Sequence, residues 1–460
     1  METTTNKPIV KFYGGKLGAW MPIISLVAGI FLLTLAGQGG VKAFWIPAYV
    51  ALNVGFLLCK DKKEFNTMAI DAITDSMFAN LVLAFLLAGV LSQLLRQSGL
   101  INGLLWLAME MNLGAHFMPL IIFLTSAVIS TACGTCSGTV TTVTPVMYPL
   151  AVTLGCDPAL ILGAIISGSY FGDNLAPISD TTIASAYTND AEVNDCVMSR
   201  LPYSILAGGL SCLLYVYFGF RMTGDPIHAV EIDPTYARTL VMLILPVSMV
   251  ILAMKLRNLV ATMLICNLAG IVLNLVFGFV PMEKMISTSG PIVVGLEGMC
   301  SVIFFCLLLF IIIELAKRSG VFEQIINLAT KHCKTPAQAE LVCAGMGAVA
   351  AAMAAQNTSC ICLIGPVVRR ILKKFHIINT RGANLIDATC VAVTGIIPYG
   401  ISLMMMYTLA VESGMVPEGF STVNLIPYSF HCILLIAVYL VSIVTGIGRK
   451  YEPGFEQVKK

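Results

Sequence analysis

Charge is scarce in this chain. Of its 460 residues, 11% are Asp, Glu, Lys or Arg, where a soluble domain carries about 25%. So little charge cannot coat a water-facing surface, which excludes an ordinary soluble globular protein. Histidine is scarcer still: His116, His228, His332, His376 and His431 are scattered towards interfaces and loops. No HExxH, GxSxG or GxxxxGK[ST] pattern occurs. A membrane protease or transferase needs a nucleophile with its base, or a metal cluster. An ATP-driven pump needs the phosphate-cradling loop. Both classes drop out, so the chain is not expected to be an enzyme. No nucleic-acid partner and no cofactor are expected either. The opening METTTNKPIVKFYGGKLGAW has no small-residue cleavage site after a short apolar stretch, so no signal peptide is expected.

Apolar residues fill the space that charge leaves. They make up 57% of the chain, and the mean hydropathy is +0.88. Runs of roughly 20 apolar residues, long enough to cross a bilayer as helices, recur along the whole length. The expected class is an all-α polytopic membrane protein. Its 15 cysteines sit mostly inside apolar runs, as Cys133, Cys266, Cys300 and Cys306 do. There they act as small hydrophobes, and no disulfide framework is expected. Cys133 and Cys136 form a CxxC, with Cys360 and Cys362 on a second polar tip. Packing of a tip by small residues explains these better than a soft-metal site, so no resident metal is expected.

An internal repeat organises the runs. QSGLINGLLWLA from Gln97 and RSGVFEQIINLA from Arg318 align at an offset of 221. The same offset pairs Gln93 with Glu314, Arg96 with Lys317, Pro145 with Pro366 and Pro177 with Pro398. Each half reads as five spans plus a re-entrant hairpin. The first has spans near 19–37, 42–59, 76–95, 158–187 and 200–219, with a hairpin near 116–154. The second has spans near 237–254, 259–280, 291–316, 383–413 and 424–446, with a hairpin near 338–374. Amphipathic segments near 100–112 and 321–333 precede the hairpins. Five is odd, so the second half enters from the opposite side and the repeat is inverted. The expected divisions are a cytoplasmic tail at 1–18, the first repeat at 19–220, an external linker at 221–236, the second repeat at 237–446 and a cytoplasmic tail at 447–460. With both termini cytoplasmic, all Lys and Arg fall inside except Lys42, Arg96, Arg221, Arg238 and Lys284. That bias follows the positive-inside rule.

Inverted halves with non-helical backbone at mid-depth are the plan of many secondary transporters. Gly172 and Pro177 are expected to break one span, and Gly395 and Pro398 its repeat mate. The hairpin tips are small and polar. Thr135, Ser137 and Thr139 belong to the first, and Asn357, Thr358 and Ser359 to the second. Their oxygens, with unwound carbonyls, can replace water around a hard cation.

Acids inside spans are the sharpest signal. Asp173, Asp180 and Asp387 lie there, and no Lys or Arg is expected at that depth. An ionised carboxylate at the bilayer centre costs at least ~2.5–3.5 kcal/mol and is functional by default. Lacking a fixed partner, it takes a mobile cation or a proton. Asp71 and Asp75 read as a solvated N-terminus of the third span, and Glu314 as an interfacial partner of Lys317.

The stretch GDNLAPISDTT, Gly172 to Thr182, resembles the GDxxSPxSDTT signature of the NhaC-type Na+/H+ antiporter family, within the ion transporter superfamily. Gly172, Asp173, Pro177, Ser179, Asp180, Thr181 and Thr182 match, and Ala176 stands where the family usually has serine. The resemblance implies Na+-linked antiport with Na+ and H+ as coupling ions, a scaffold and a transport domain, and a homodimer. It leaves the transported species open, because relatives exchange malate and lactate or move amino acids. The residues and the resemblance together predict a cation-coupled transporter of the cell (inner) membrane. Asp173, Asn174, Ser179, Asp180 and Thr182 would form one wall of a midplane site. Thr135, Ser137, Thr139, Asn357, Thr358 and Ser359 would come from the tips, with Asp387 and Thr394 beside them. Asp173 would be the ligand shared by Na+ and H+. The alternative is Na+-driven transport of an organic solute, its carboxylate held by Asn357 and hairpin amides. A buried Arg would favour a dicarboxylate, and none is expected.

Overall fold

Prolines and capping side chains set where the helices start. Asp157 precedes Pro158 and accepts the N–H groups of Ala159 and Leu160 at 2.9 and 3.0 Å, which satisfies donors that a helix start leaves open. Thr335 and Gln338 form a capping box ahead of another helix, with Pro336 in its first turn. The computed structural model describes residues 10–36, 41–110, 114–177, 179–224, 234–256, 258–321, 324, 333–453 and 455.

Among these residues the fold is helical, with isolated bridges at Phe12–Cys59 and Ile377–Tyr451. The first part of the chain contributes α1 (Gly15–Leu35), α2 (Trp45–Leu58), α3 (Lys62–Ile73), α4 (Ser76–Gln97), α5 (Leu100–Glu110), α6 (Met118–Cys133), α7 (Cys136–Thr153), α8 (Pro158–Leu175), α9 (Asp180–Asn189) and α10 (Val193–Met222). The rest contributes α11 (Ile244–Leu256), α12 (Leu259–Val276), α13 (Pro291–Arg318), α14 (Pro336–Ala354), α15 (Asn357–Lys373), α16 (Asn379–Thr394), α17 (Ile401–Glu412) and α18 (Phe430–Thr445). Short single turns and 3-10 segments lie between some of them. Among the described residues, 7 helices are long and apolar enough to cross a membrane, or up to 9 if each bent pair is one span. The chain is a multi-pass membrane protein.

The span near 158–187 is the pair α8 and α9, bent by 41°. The span near 383–413 is likewise divided, into α16 and α17. The expected span near 237–254 starts as a 3-10 segment, Pro234–Leu243, and becomes α-helical only in α11. The first amphipathic segment is α5, whereas the second, 321–333, lies largely outside the described residues. Asp71 departs from expectation. It belongs to the separate helix α3 and pairs with Arg318 at 2.5 Å. Glu314 meets Lys317 at 3.8 Å and Arg318 more closely, at 2.8 Å.

Helix boundaries recur at the offset of 221. α4 and α13 end at Gln97 and Arg318. α7 and α15 begin at Cys136 and Asn357, α8 and α16 at Pro158 and Asn379, and α9 and α17 at Asp180 and Ile401. Left-handed residues recur too: Gly99 with Gly320, Gly134 with Ala355, and Gly155 with His376.

Large apolar side chains such as Phe31, Ile46, Leu213, Val276 and Val444 point outward, as a lipid-facing surface requires. Small residues let helices touch inside. Gly168 and Gly172 sit within α8, where an added Cβ would press on the backbone carbonyls of Phe123 and Ala127 in α6. Gly172 is therefore a close-packing position and not a helix break. The break begins at Ala176, whose N–H closes the last turn on the Gly172 carbonyl at 2.9 Å, and Pro177 has no N–H to add another. In the second half Gly395 ends α16, and Pro398 lies in the turn before α17.

Candidate functional site

The four helices α7, α9, α15 and α17 begin at a common place. Thr135 and Ser137, Ser179 and Asp180, Asn357 and Thr358, and Ile401 and Ser402 line one cavity of about 130 Å³. Gly134 and Ala355 turn the chain back in the left-handed region, and Thr135 and Gln356 follow in extended conformation. The breaks thus aim four helix N-termini, each with a partial positive charge, at one small space.

Two carboxylates stand in that space. Asp173, from the last turn of α8, is 4% exposed. Its Oδ1 accepts a hydrogen bond from the Ser179 hydroxyl at 2.7 Å. Ser179 also caps α9, accepting the Thr181 N–H at 3.2 Å, and its oxygen lies 3.0 Å from the Thr181 hydroxyl. Asp180 is exposed and opens α9. Ser137 and Ser402 meet at 3.3 Å, which ties the first tip to the start of α17. No Lys or Arg is among the described residues lining the cavity.

Seven of the expected residues share this cavity: Asp173, Ser179, Asp180, Thr135, Ser137, Asn357 and Thr358. The others do not line it. Thr139 donates to the Thr135 carbonyl at 3.0 Å, a back-bond within the first turn of α7. Thr394 donates to Asn357 Oδ1, holding that side chain from behind. Ser359 lines a neighbouring cavity with Asp75 and Glu314, and Gln356 borders both cavities. Asn174 points away, its Oδ1 accepting from Ser204 at 2.7 Å.

Asp387 and Thr182 require a larger correction. A fully buried Arg200 pairs with Asp387 and donates to the Thr182 hydroxyl at 3.3 Å. The expectation of no basic group at that depth fails here. α10 starts at Val193, ahead of the expected 200–219. Arg200 therefore enters the protein two turns into a helix instead of standing at its mouth. A second buried arginine, Arg381, pairs with Glu340 at 2.8 Å.

Sequence reasoning also passed over Tyr170 and Ser402, and it read Cys136 only as part of a packed tip. One signal was available: Ser402 is the mate of Thr181 at the offset of 221, and both carry hydroxyls. Tyr170 has Val391 as its mate and gave no such sign.

Comparison with known proteins bears on the chemistry. A family model described as the Na+/H+ antiporter family matches residues 1–220 and 226–447. A malate-2H(+)/Na(+)-lactate antiporter from Bacillus subtilis is 28% identical over 191 residues, 42% of this chain and 40% of that protein. The arginine/ornithine antiporter ArcD of Halobacterium salinarum is 33% identical over 122 residues, 26% of this chain and 25% of that one. The Na(+)/H(+) antiporter NhaC of Alkalihalophilus pseudofirmus is 23% identical over 265 residues, 56% of this chain and 55% of that one. The matches to these relatives thus span between 25% and 55% of their lengths.

Proposed function

Because the chain belongs to the Na+/H+ antiporter family, we propose that it is a secondary active transporter of the cell membrane, exchanging Na+ for H+ at the cavity around Asp173. One observation carries this reading: Asp173 and Asp180 line a cavity with no Lys or Arg among its described lining residues. Their counter-charge is then mobile. Na+ and H+ compete for the same carboxylate, so occupancy by one excludes the other, and a carrier that changes its facing only when loaded exchanges them. Thr135, Ser137, Ser179, Asn357 and Thr358 supply neutral oxygens suited to a hard cation.

The architectural part of the proposal is that residues 19–220 and 237–446 are inverted repeats with cytoplasmic termini. α6 with α7, and α14 with α15, are their re-entrant hairpins. The recurrence of four helix boundaries and three left-handed residues at one offset supports it. So does the distribution of Lys and Arg. Access would alternate as the hairpin-bearing part moves against the remaining spans, in a homodimer.

A second reading is Na+-coupled movement of a small organic acid or amino acid. The convergence of four helix N-termini favours it, because that geometry suits a carboxylate. The test is proton movement in liposomes loaded with a pH-sensitive dye, after external Na+, Li+ or K+, beside Asp173→Asn. Na+-driven proton efflux that is lost in the variant is the expected result. No proton movement with any cation would defeat ion exchange and point to the organic solute.

A further inference from the structure

Arg200 is fully buried and lies outside the cavity, yet it is bound to the backbone beside Asp173. Its Nη1 donates to the Asn174 carbonyl at 2.8 Å. In a continuing helix that carbonyl would take the amide four residues on. α8 stops at Leu175, and the guanidinium supplies the donor instead. The same fork reaches Thr182 in α9 at 3.3 Å and, through Nε, Asn384 Oδ1 in α16 at 3.1 Å. It also pairs with Asp387 of α16. One side chain from α10 thus joins both sides of the α8–α9 break to α16.

We propose that Arg200 is a positioning residue for the cation site. It fixes the open end of α8, and so the Asp173 carboxylate, against α16. Asp387 serves as its counter-charge and is not a cation ligand. The proposal rests on the exchange reading for the identity of the cation. A planar fork with several fixed donors suits the task, and a lysine at the same place would keep the charge but lose the geometry.

A plain ion pair would predict something different. Removing one charge leaves the other buried and alone, which destabilises any protein. Removing both charges separates the two roles. The double variant Arg200→Met with Asp387→Asn leaves no orphan charge but gives the Asn174 carbonyl no donor. Among the described residues the Oδ1 atom of Asp387 has no hydrogen-bond partner, so an amide at residue 387 forfeits little on that side.

The experiment compares wild type, the double variant and Arg200→Lys in liposomes, reading the Na+ dependence of proton movement. In parallel, the thermal midpoint of purified protein is measured with and without Na+. The double variant is expected to melt near wild type without Na+, to show an apparent KM for Na+ raised about tenfold or more, and to lose the Na+-induced rise in midpoint. Arg200→Lys should recover part of that KM. A double variant with wild-type KM and wild-type Na+ stabilisation would overturn the proposal. If the double variant does not fold, Thr182→Val removes one Arg200 bond with little change of shape. It is expected to raise KM a few-fold at unchanged maximal rate, and an unchanged KM there sinks the idea. Wild type without Na+-driven proton movement defeats exchange itself, while the Na+ dependence of the midpoints still tests Arg200.

Discussion

Gly134 and Ala355 carry the same left-handed turn 221 residues apart, with φ of 67° and 51°. Each is followed by an extended residue, Thr135 or Gln356, and then by a helix that starts at the cavity. One position has the residue suited to that conformation and the other does not. Left-handed backbone costs an L-residue roughly 1–2 kcal/mol, so Gly134→Ala should lower stability by about that amount. Ala355→Gly relieves the strain but deletes a buried methyl worth ~0.8 kcal/mol and frees the unfolded chain. It should be close to neutral. Thermal midpoints in detergent check the pair, and a harmless Gly134→Ala would contradict the turn.

Ser179 holds two jobs at once, donating to Asp173 and capping α9. Ser179→Ala should cost about 1 kcal/mol of stability from the lost cap. The bond to a charged group is worth roughly 1.5–3 kcal/mol, so the apparent KM for Na+ should rise about tenfold or more. A proton-flux titration against Na+ separates the two effects. A stability loss with unchanged KM would leave Ser179 as a cap alone.

Cys136 begins α7 and lines the cavity, although it is 4% exposed, whereas Cys133, the half-buried last residue of α6, does not line it. A small thiol reagent such as methyl methanethiosulfonate should therefore inactivate transport through Cys136. Na+ in the cavity should slow the reaction, and Cys136→Ala should be resistant. Inactivation that persists in Cys136→Ala would place the sensitive thiol elsewhere among the 15 cysteines.

The membrane class, the interruptions at Pro177 and Pro398, and seven residues that line one cavity were legible in the sequence because each leaves a local mark. Apolar length marks a span, proline marks a break, and an acid without a neighbouring base marks a site. Arg200 left a misleading mark. Lys and Arg near a span end normally belong to the surface, and nothing local shows that α10 begins at Val193 or that Asp387, 187 positions away, waits inside. Gly172 misled in another way. Glycine beside proline suggests a loosened turn, but whether it serves the turn or the contact with α6 depends on where α6 lies, which is tertiary information. Thr139 and Thr394 show the limit of hydroxyl counting. Thr139 donates to a backbone carbonyl one turn back at 3.0 Å, as threonine in membrane helices commonly does, and Thr394 donates to the Asn357 side chain.

Glu340 gives the sharpest stability test away from the cavity. It is fully buried near the start of α14 and holds two arginines: Arg381 at 2.8 Å from α16, and Arg449 at 2.8 Å from the segment after α18. Arg381 is itself 3% exposed and also donates to Ser442 at 2.9 Å, while the Arg449 side chain is 12% exposed. Glu340→Gln removes the carboxylate that these two cations share, and it turns an amide N–H towards guanidinium donors. Leaving a buried charge unpaired costs about 3–5 kcal/mol, so this variant should insert poorly and melt far below wild type. Arg449→Gln leaves the Arg381 pair intact, so Glu340 keeps a counter-charge and the smaller loss of one charged hydrogen bond, roughly 1.5–3 kcal/mol, is expected. Because Glu340 does not line the cavity, any Glu340→Gln protein that folds should keep a wild-type KM for Na+. A variant that melts like wild type would mean that the buried network adds no net stability. A raised KM with normal melting would instead tie this end of α14 to the ion site.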